Sequence, residues 1–176
     1  GVDPRSLAAA DLSIESWIPV DDANWVESLS TSRNWEFFQL DFDFPLPLGS
    51  DDGVWVETDG YLSIGDLSID VFRMYDDHHL DLSEGRIYVA NSGAPGDKVF
   101  TVTWQDARLE DSVDPANETV TFQASLYEAT GEIVFRYLDT TFGGGISEFD
   151  AEDKKYQEIY NYASGSWAEF DSPLSD

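Results

Sequence analysis

The run Asp76-Asp77-His78-His79, followed by Asp81 and Glu84, is where chemistry would be sought first. An Asp-His-His triplet serves phosphoesterases at the end of a parallel strand, with further Asp and His ligands elsewhere. These are the only two histidines of the chain, and no strand-helix-strand pattern surrounds them. Adjacent side chains also diverge on an extended backbone, so joint ligation of one ion by His78 and His79 is awkward. Two readings stay open. One is a solvated polar loop. The other is a hard-cation site, with calcium the implied ion, built from Asp76, Asp77, Asp81, Glu84 and backbone carbonyls, because such ions need six to eight oxygens around one point.

Other candidates are weaker. Asp106, Glu110, Asp111 and Asp114 form a second acidic stretch. Paired carboxylates are the requirement of a glycoside hydrolase, but one acid must be raised in pKa and set at a fixed distance from its partner. Spacing selects no such pair here. Gly143-Gly144-Gly145 is followed by neither Lys-Ser/Thr nor a helical pattern, so it reads as a turn rather than a phosphate cradle. Asn117-Glu118-Thr119 matches the N-glycosylation acceptor pattern. The aromatics say more. Trp17, Trp25, Trp35 and Trp167, with Tyr156, Tyr160 and Tyr162, either pack the terminal strands or lie exposed together, where they would stack on sugar rings or bury in a partner. The four tryptophans are the candidate ligand-binding set.

The elements that must hold these residues repeat with period two. In Glu36–Phe44, Phe38, Leu40, Phe42 and Phe44 share one face, opposite Phe37, Gln39, Asp41 and Asp43. Pro45 and Pro47 then stop the strand. Val54-Trp55-Val56-Glu57 and Tyr61-Leu62-Ser63-Ile64 flank an Asp59-Gly60 turn. Further alternating runs cover 86–90, 99–105, 119–127 and 132–138, the last two joined through Gly131. Trp55, Trp104, Phe122 and Phe135 are expected in the core. Asp21–Ser32 allows a helical turn, and 150–154 a second one before a strand containing Tyr156, Tyr160 and Tyr162. Leu12, Ile14 and Ile18 predict an N-terminal strand that Pro19 ends, to be paired within its own sheet or given to a neighbour. Short strands between turn signals predict an all-β fold, an antiparallel β-sandwich of jelly-roll type with short terminal helical turns. Residues 1–10 read as a flexible lead, 11–170 as one domain and 171–176 as a tail.

Charge narrows the partners. The 176 residues carry 36 Asp+Glu against 9 Lys+Arg, a net charge of −27. Such a chain repels phosphate backbones and anionic headgroups, so nucleic acid is excluded as a partner. No run of 18 apolar residues predicts membrane insertion. No cysteine is present, which removes disulfides and thiolate metal sites. Gly1-Val2-Asp3-Pro4-Arg5 shows no basic-then-apolar leader, and the composition favours a chain whose export signal has been removed. Acid excess with scarce lysine suits a saline setting.

Three blocks in order resemble one family. Phe44-Pro45-Leu46 with Val54 through Gly65 resembles an "FPF…VYVSSNGFLSFG" block. Phe72-Arg73-Met74-Tyr75-Asp76-Asp77 with Gly85-Arg86-Ile87-Tyr88-Val89 resembles "APFWADxD…GxVYY". Phe100 through Asp106, Val120 through Tyr127 and Gly131 through Tyr137 resemble "FVVTWDNV…NTFQVVLYEDGRIxFxY". Over residues 42–138 the chain is similar to nidogen-like extracellular domains and their bacterial surface relatives. Asp59 stands where the family usually has Asn, and Arg73 where a proline is usual. The resemblance implies a secreted or cell-surface module for adhesion, matrix or structural assembly, without catalysis. Its partners would be copies of itself, surface proteins or polysaccharide. A carbohydrate-binding module, a filament or capsid subunit joined by strand exchange, and a glycoside hydrolase are the alternatives.

Overall fold

The computed structural model describes residues 8–11, 17–74, 79–110, 119–139 and 155–169. Within them lie twelve strands: β1 (Ala8–Asp11), β2 (Trp35–Leu46), β3 (Gly49–Glu57), β4 (Tyr61–Ile64), β5 (Leu67–Met74), β6 (Leu80–Asp81), β7 (Arg86–Ser92), β8 (Val99–Leu109), β9 (Thr119–Tyr127), β10 (Ile133–Asp139), β11 (Lys155–Asn161) and β12 (Ser166–Glu169). They form two sheets. The first runs β1-β10-β9-β8-β6, with β7 also on β8; the second runs β12-β11-β5-β4-β3-β2. The fold is an all-β sandwich, antiparallel throughout except where β1 lies parallel to β10.

Alternation creates the layers. Along β2 every second residue from Leu40 to Phe44 is buried, and Val54 and Val56 of β3, Leu62 and Ile64 of β4, and Leu67 and Ile69 of β5 continue that face. Phe100, Val102, Trp104, Phe122, Leu126 and Phe135 supply the facing layer. Each buried Phe or Leu contributes about 1.5–3 kcal/mol by leaving water. Leu29, fully buried, belongs to the same core from one of two short 3-10 turns, Asp22–Asn24 and Glu27–Leu29. These are the helical turns expected within Asp21–Ser32. The turn expected at 150–154 lies outside the described residues, whereas the strand after it is β11.

The β3–β4 turn shows why glycine is needed. Gly60 has φ +78°, and a Cβ there would lie 2.3 Å from the Phe72 carbonyl oxygen. That close approach belongs to a bulge in β5. The amides of Val71 and Phe72 both face the Gly60 carbonyl, at 2.9 and 3.3 Å. The bulge turns both side chains into the core. Phe72 then stacks on Phe122 at 5.1 Å, and Phe122 on Trp104 at 5.0 Å, a three-ring column joining the sheets.

Two expectations need correction. Trp55 is 45% exposed, on the outer face of the second sheet rather than in the core. Its neighbours Val54 and Val56 take the inward parity, and a strand residue between them must face out. Ile18 lies in an irregular segment rather than a strand. Its backbone N–H and C=O go to the side chain of Gln123, so no ladder takes them. Leu12 and Ile14 lie outside the described residues. The strand that forms is β1, starting at Ala8.

Candidate binding surface

The two outer faces differ in character. On the first sheet the outward residues are polar yet buried: Thr101, Thr103, Gln123, Ser125 and Arg136. Thr101 Oγ1 and Ser125 Oγ are 2.8 Å apart, and Gln123 Nε2 donates to Thr103 Oγ1 at 3.0 Å. Residues 17–21 cross this face, held through Ile18, and lead to Trp25, which bridges Tyr88. The Arg86 guanidinium stands 4.4 Å above the Trp25 ring, a cation–π contact.

On the second sheet the outward residues include large exposed rings. Trp35 is 59% exposed and Phe37 46%. Direct ladder partners define one transverse row: Phe37, Trp55, Ser63, Ser68, Tyr160 and Trp167. The neighbouring row reads Trp35, Glu57, Tyr61, Asp70, Glu158 and Glu169. Phe37 and Trp55 thus stand at one end of the first row and Tyr160 toward the other, with two serines on the strands between. Phe37 meets Trp55 edge to face at 5.3 Å and 62°. Its ring lies over Gly53, where a Cβ would come within 2.6 Å of it, so the absent side chain makes the room. Tyr160 meets Tyr162 at 4.7 Å and 75°. These clusters present edges as well as faces, not a flat coplanar platform. Burial pushes the Tyr61 phenol above its ordinary pKa, against the pull of the Ser68 hydrogen bond and with the help of the Asp70 charge.

The four candidate tryptophans are not brought together. Trp35 and the ladder position of Trp167 belong to the second sheet, Trp25 packs at the first, and Trp17 is half-buried where the crossing segment begins. Phe37 and Trp55 complete the Trp35 surface.

Of the proposed cation ligands, Asp76 and Asp77 lie outside the described residues, as do His78, Asp111, Asp114 and Asn117. Asp81 is engaged: Oδ2 accepts from Arg108 Nη2 at 2.9 Å and from Ser83 Oγ at 2.9 Å, and Oδ1 from the Ser83 amide at 2.8 Å. Burial pushes this carboxyl up, but the Ser83 amide, the Arg108 guanidinium and the Ser83 hydroxyl outweigh it and hold it below the usual range. Glu84 is exposed, and Glu110 pairs with Arg33 at 3.0 Å. Among the described residues no three His, Asp or Glu side chains converge on one point. His79 instead faces Asp59, with Nδ1 and Oδ2 2.8 Å apart, while Asp59 Oδ1 accepts from the Leu80 amide at 3.0 Å. The Asp59 carboxylate thus ties the β3–β4 turn of the second sheet to the start of β6.

A family model described as NIDO related matches residues 9–159. Neither a curated protein nor a solved structure matches the chain.

Proposed function

The chain belongs to the NIDO-related family, and from that premise we propose that it is a secreted or surface-displayed, non-enzymatic module for adhesion or structural assembly, working through the outer face of the second sheet. The observation that carries this reading is the exposed cluster of Trp35, Phe37 and Trp55. Large rings left in water on one sheet face mark a contact surface, because burying them against a partner releases apolar area that the fold itself has not used. The family membership supports an extracellular setting. No described helix is long and apolar enough to cross a membrane.

A neutral polysaccharide is the second reading. The row pattern favours it: ring clusters offer stacking surfaces to sugar C–H faces, and the half-buried Ser63 between them offers a hydroxyl. The net charge of −27 disfavours sulfated or uronic chains.

The test compares the parent with a Trp35→Ala/Trp55→Ala double variant. Adsorption to immobilised matrix protein and to neutral glycans is measured side by side. Loss of matrix binding in a variant that melts normally supports the adhesive reading; loss confined to glycans supports the second. Unchanged adsorption to both sinks the surface assignment.

A further inference from the structure

The exposed rings of the second sheet stand among carboxylates. Along β2 the outward residues Trp35, Phe37, Gln39, Asp41 and Asp43 are all exposed. Glu57 is the ladder partner of Trp35 and lies two residues from Trp55 on the same face. Asp70 follows in the same row, and neither of the two transverse rows contains a lysine or arginine. Arg73 and Lys155 lie at the far end of the β5–β11 pairing, beyond Asp70. The Tyr61 phenol senses this field. Burial raises its pKa most, and the charges of Asp70, Tyr162 and Glu57 push the same way against the Ser68 hydrogen bond.

The described basic side chains are engaged elsewhere. Arg33 pairs with Glu110, Lys98 with Asp41 and Arg108 with Asp81. Arg136 is buried on the hydroxyls of Ser125 and Tyr127. Arg86 shows how a tryptophan and a carboxylate share one guanidinium in this fold: Nη1 stands 3.4 Å from Asp22 Oδ1 while the group lies 4.4 Å above the Trp25 ring. Trp35 and Trp55, with Glu57 beside them, repeat those residue types on the second sheet. Among the described residues no cation stands over either ring, and they remain 59% and 45% exposed.

We propose that this surface docks a basic, arginine-bearing segment of a partner protein, its guanidinium groups stacked on Trp35 and Trp55 and facing Glu57. Guanidinium suits the site better than ammonium, because its plane stacks on an indole while its N–H groups still donate to a carboxylate. Negative potential over the face draws a basic partner in, and it repels another copy of a chain with net charge −27. A neutral glycan would use the rings and leave the carboxylates without a role. The inference rests on the adhesive reading and names the chemistry of its partner.

The probe is a dye-labelled peptide of alternating arginine and serine, with lysine and citrulline versions of the same length, titrated by fluorescence anisotropy. The parent should bind the arginine peptide, the lysine peptide several-fold more weakly and the uncharged citrulline peptide hardly at all. Trp35→Ala/Trp55→Ala keeps the net charge, yet should weaken arginine binding about tenfold. Glu57→Gln should weaken it several-fold. Glu84→Gln, an equal loss of charge at an exposed site between β6 and β7 of the other sheet, should not. Circular dichroism and thermal melts confirm that each variant folds. A parent that ignores the arginine peptide, a ring variant that binds it like the parent, or a citrulline peptide bound as tightly overturns the proposal. Lysine binding as tight as arginine binding overturns the stacking, and Glu57→Gln behaving like Glu84→Gln removes Glu57. A parent that binds neutral glycan alone, or that forms a dimer dissociated by the ring substitutions, gives the surface another occupant and overturns it too. If the ring variant loses its adsorption to matrix protein while arginine binding is indifferent to the rings, the surface reading stands and only the cationic preference fails. If that adsorption is unchanged as well, both fail.

Discussion

Gln123 holds the backbone of Ile18 from both ends of its side-chain amide: Oε1 accepts from the Ile18 N–H at 2.9 Å, and Nε2 donates to the Ile18 carbonyl at 3.1 Å. A side chain thus does the work of a strand neighbour, on a face where a ladder cannot form. The same Nε2 reaches Thr103 Oγ1, so the crossing segment is coupled to β8 as well as β9.

Replacing Gln123 by Ala should therefore loosen the segment without breaking the sheet. Three groups lose a partner beneath a covered face, at about 1–3 kcal/mol for each one that water cannot reach. Amide hydrogen exchange is expected to accelerate at Ile18 while Phe122 and Ala124, in the ladder on either side, stay protected. Unchanged exchange at Ile18 would show that other contacts fix the segment.

Tyr137 joins the sheets in another way. Its hydroxyl donates to the Val71 carbonyl at 2.6 Å, the carbonyl at the β5 bulge. Burial pushes the phenol well above its ordinary value near 10. A group whose folded pKa is raised stabilises fully below its unfolded pKa, and that contribution is lost as pH rises through the folded value. Stability should thus fall from about pH 10 upward. Tyr137→Phe should lose about 1–2 kcal/mol at neutral pH by orphaning the Val71 carbonyl, yet decline less steeply in alkali. Urea titrations at pH 7 and pH 10.5 compare the two slopes; equal alkaline losses in parent and variant would remove Tyr137 from the account.

Asp81 predicts the acid limb. Its folded pKa is depressed, so its contribution is complete above the ordinary Asp value, about 3.9, and disappears as pH falls through the folded value. Asp81→Asn keeps the shape but loses the charge opposite Arg108, and should cost about 1–3 kcal/mol at pH 7. The gap between variant and parent should narrow below about pH 4, where the parent also carries a neutral acid. A constant gap across that range would mean that the loss is packing rather than charge.

Period-two alternation made most of this architecture legible. It placed Phe38, Leu40, Phe42 and Phe44 on one face, the Thr119 and Glu132 strands in one hairpin, and Trp104 with Phe122 in the core. It failed at Trp55 because Val54-Trp55-Val56 is apolar on both parities, and size suggested burial. Cross-strand logic could have rescued the assignment, since Phe37 was already outward and is the ladder partner of Trp55. The aromatic surface was only half legible. Trp35 and Trp167 were singled out, but their relation to Phe37, Ser63 and Ser68 depends on the registers of four hairpins and of the long-range β5–β11 pairing. Nor did spacing reveal that Arg136 would lie buried on hydroxyls, because charge in a sequence reads as surface.

The last prediction follows from the charge of the whole chain. A net −27 on 176 residues drives the compact state apart by self-repulsion. Apart from Arg108–Asp81, the Lys and Arg pairs described that oppose it, Lys98–Asp41 at 2.9 Å, Arg33–Glu110 at 3.0 Å and Arg86–Asp22 at 3.4 Å, each have an exposed partner and contribute little. Sodium chloride shortens the Debye length from about 30 Å at 0.01 M to about 3 Å at 1 M, so screening weakens these pairs but relieves far more repulsion. The melting temperature should rise across that range, by about 2–4 °C for each kcal/mol of repulsion removed. Calcium chloride at matched ionic strength separates screening from binding. A rise beyond that of sodium chloride, reversed by a chelator, would give the acidic side chains a cation site; an equal rise would leave screening as the whole effect. A melting temperature indifferent to both salts would mean that the unfolded chain carries the same repulsion as the folded one.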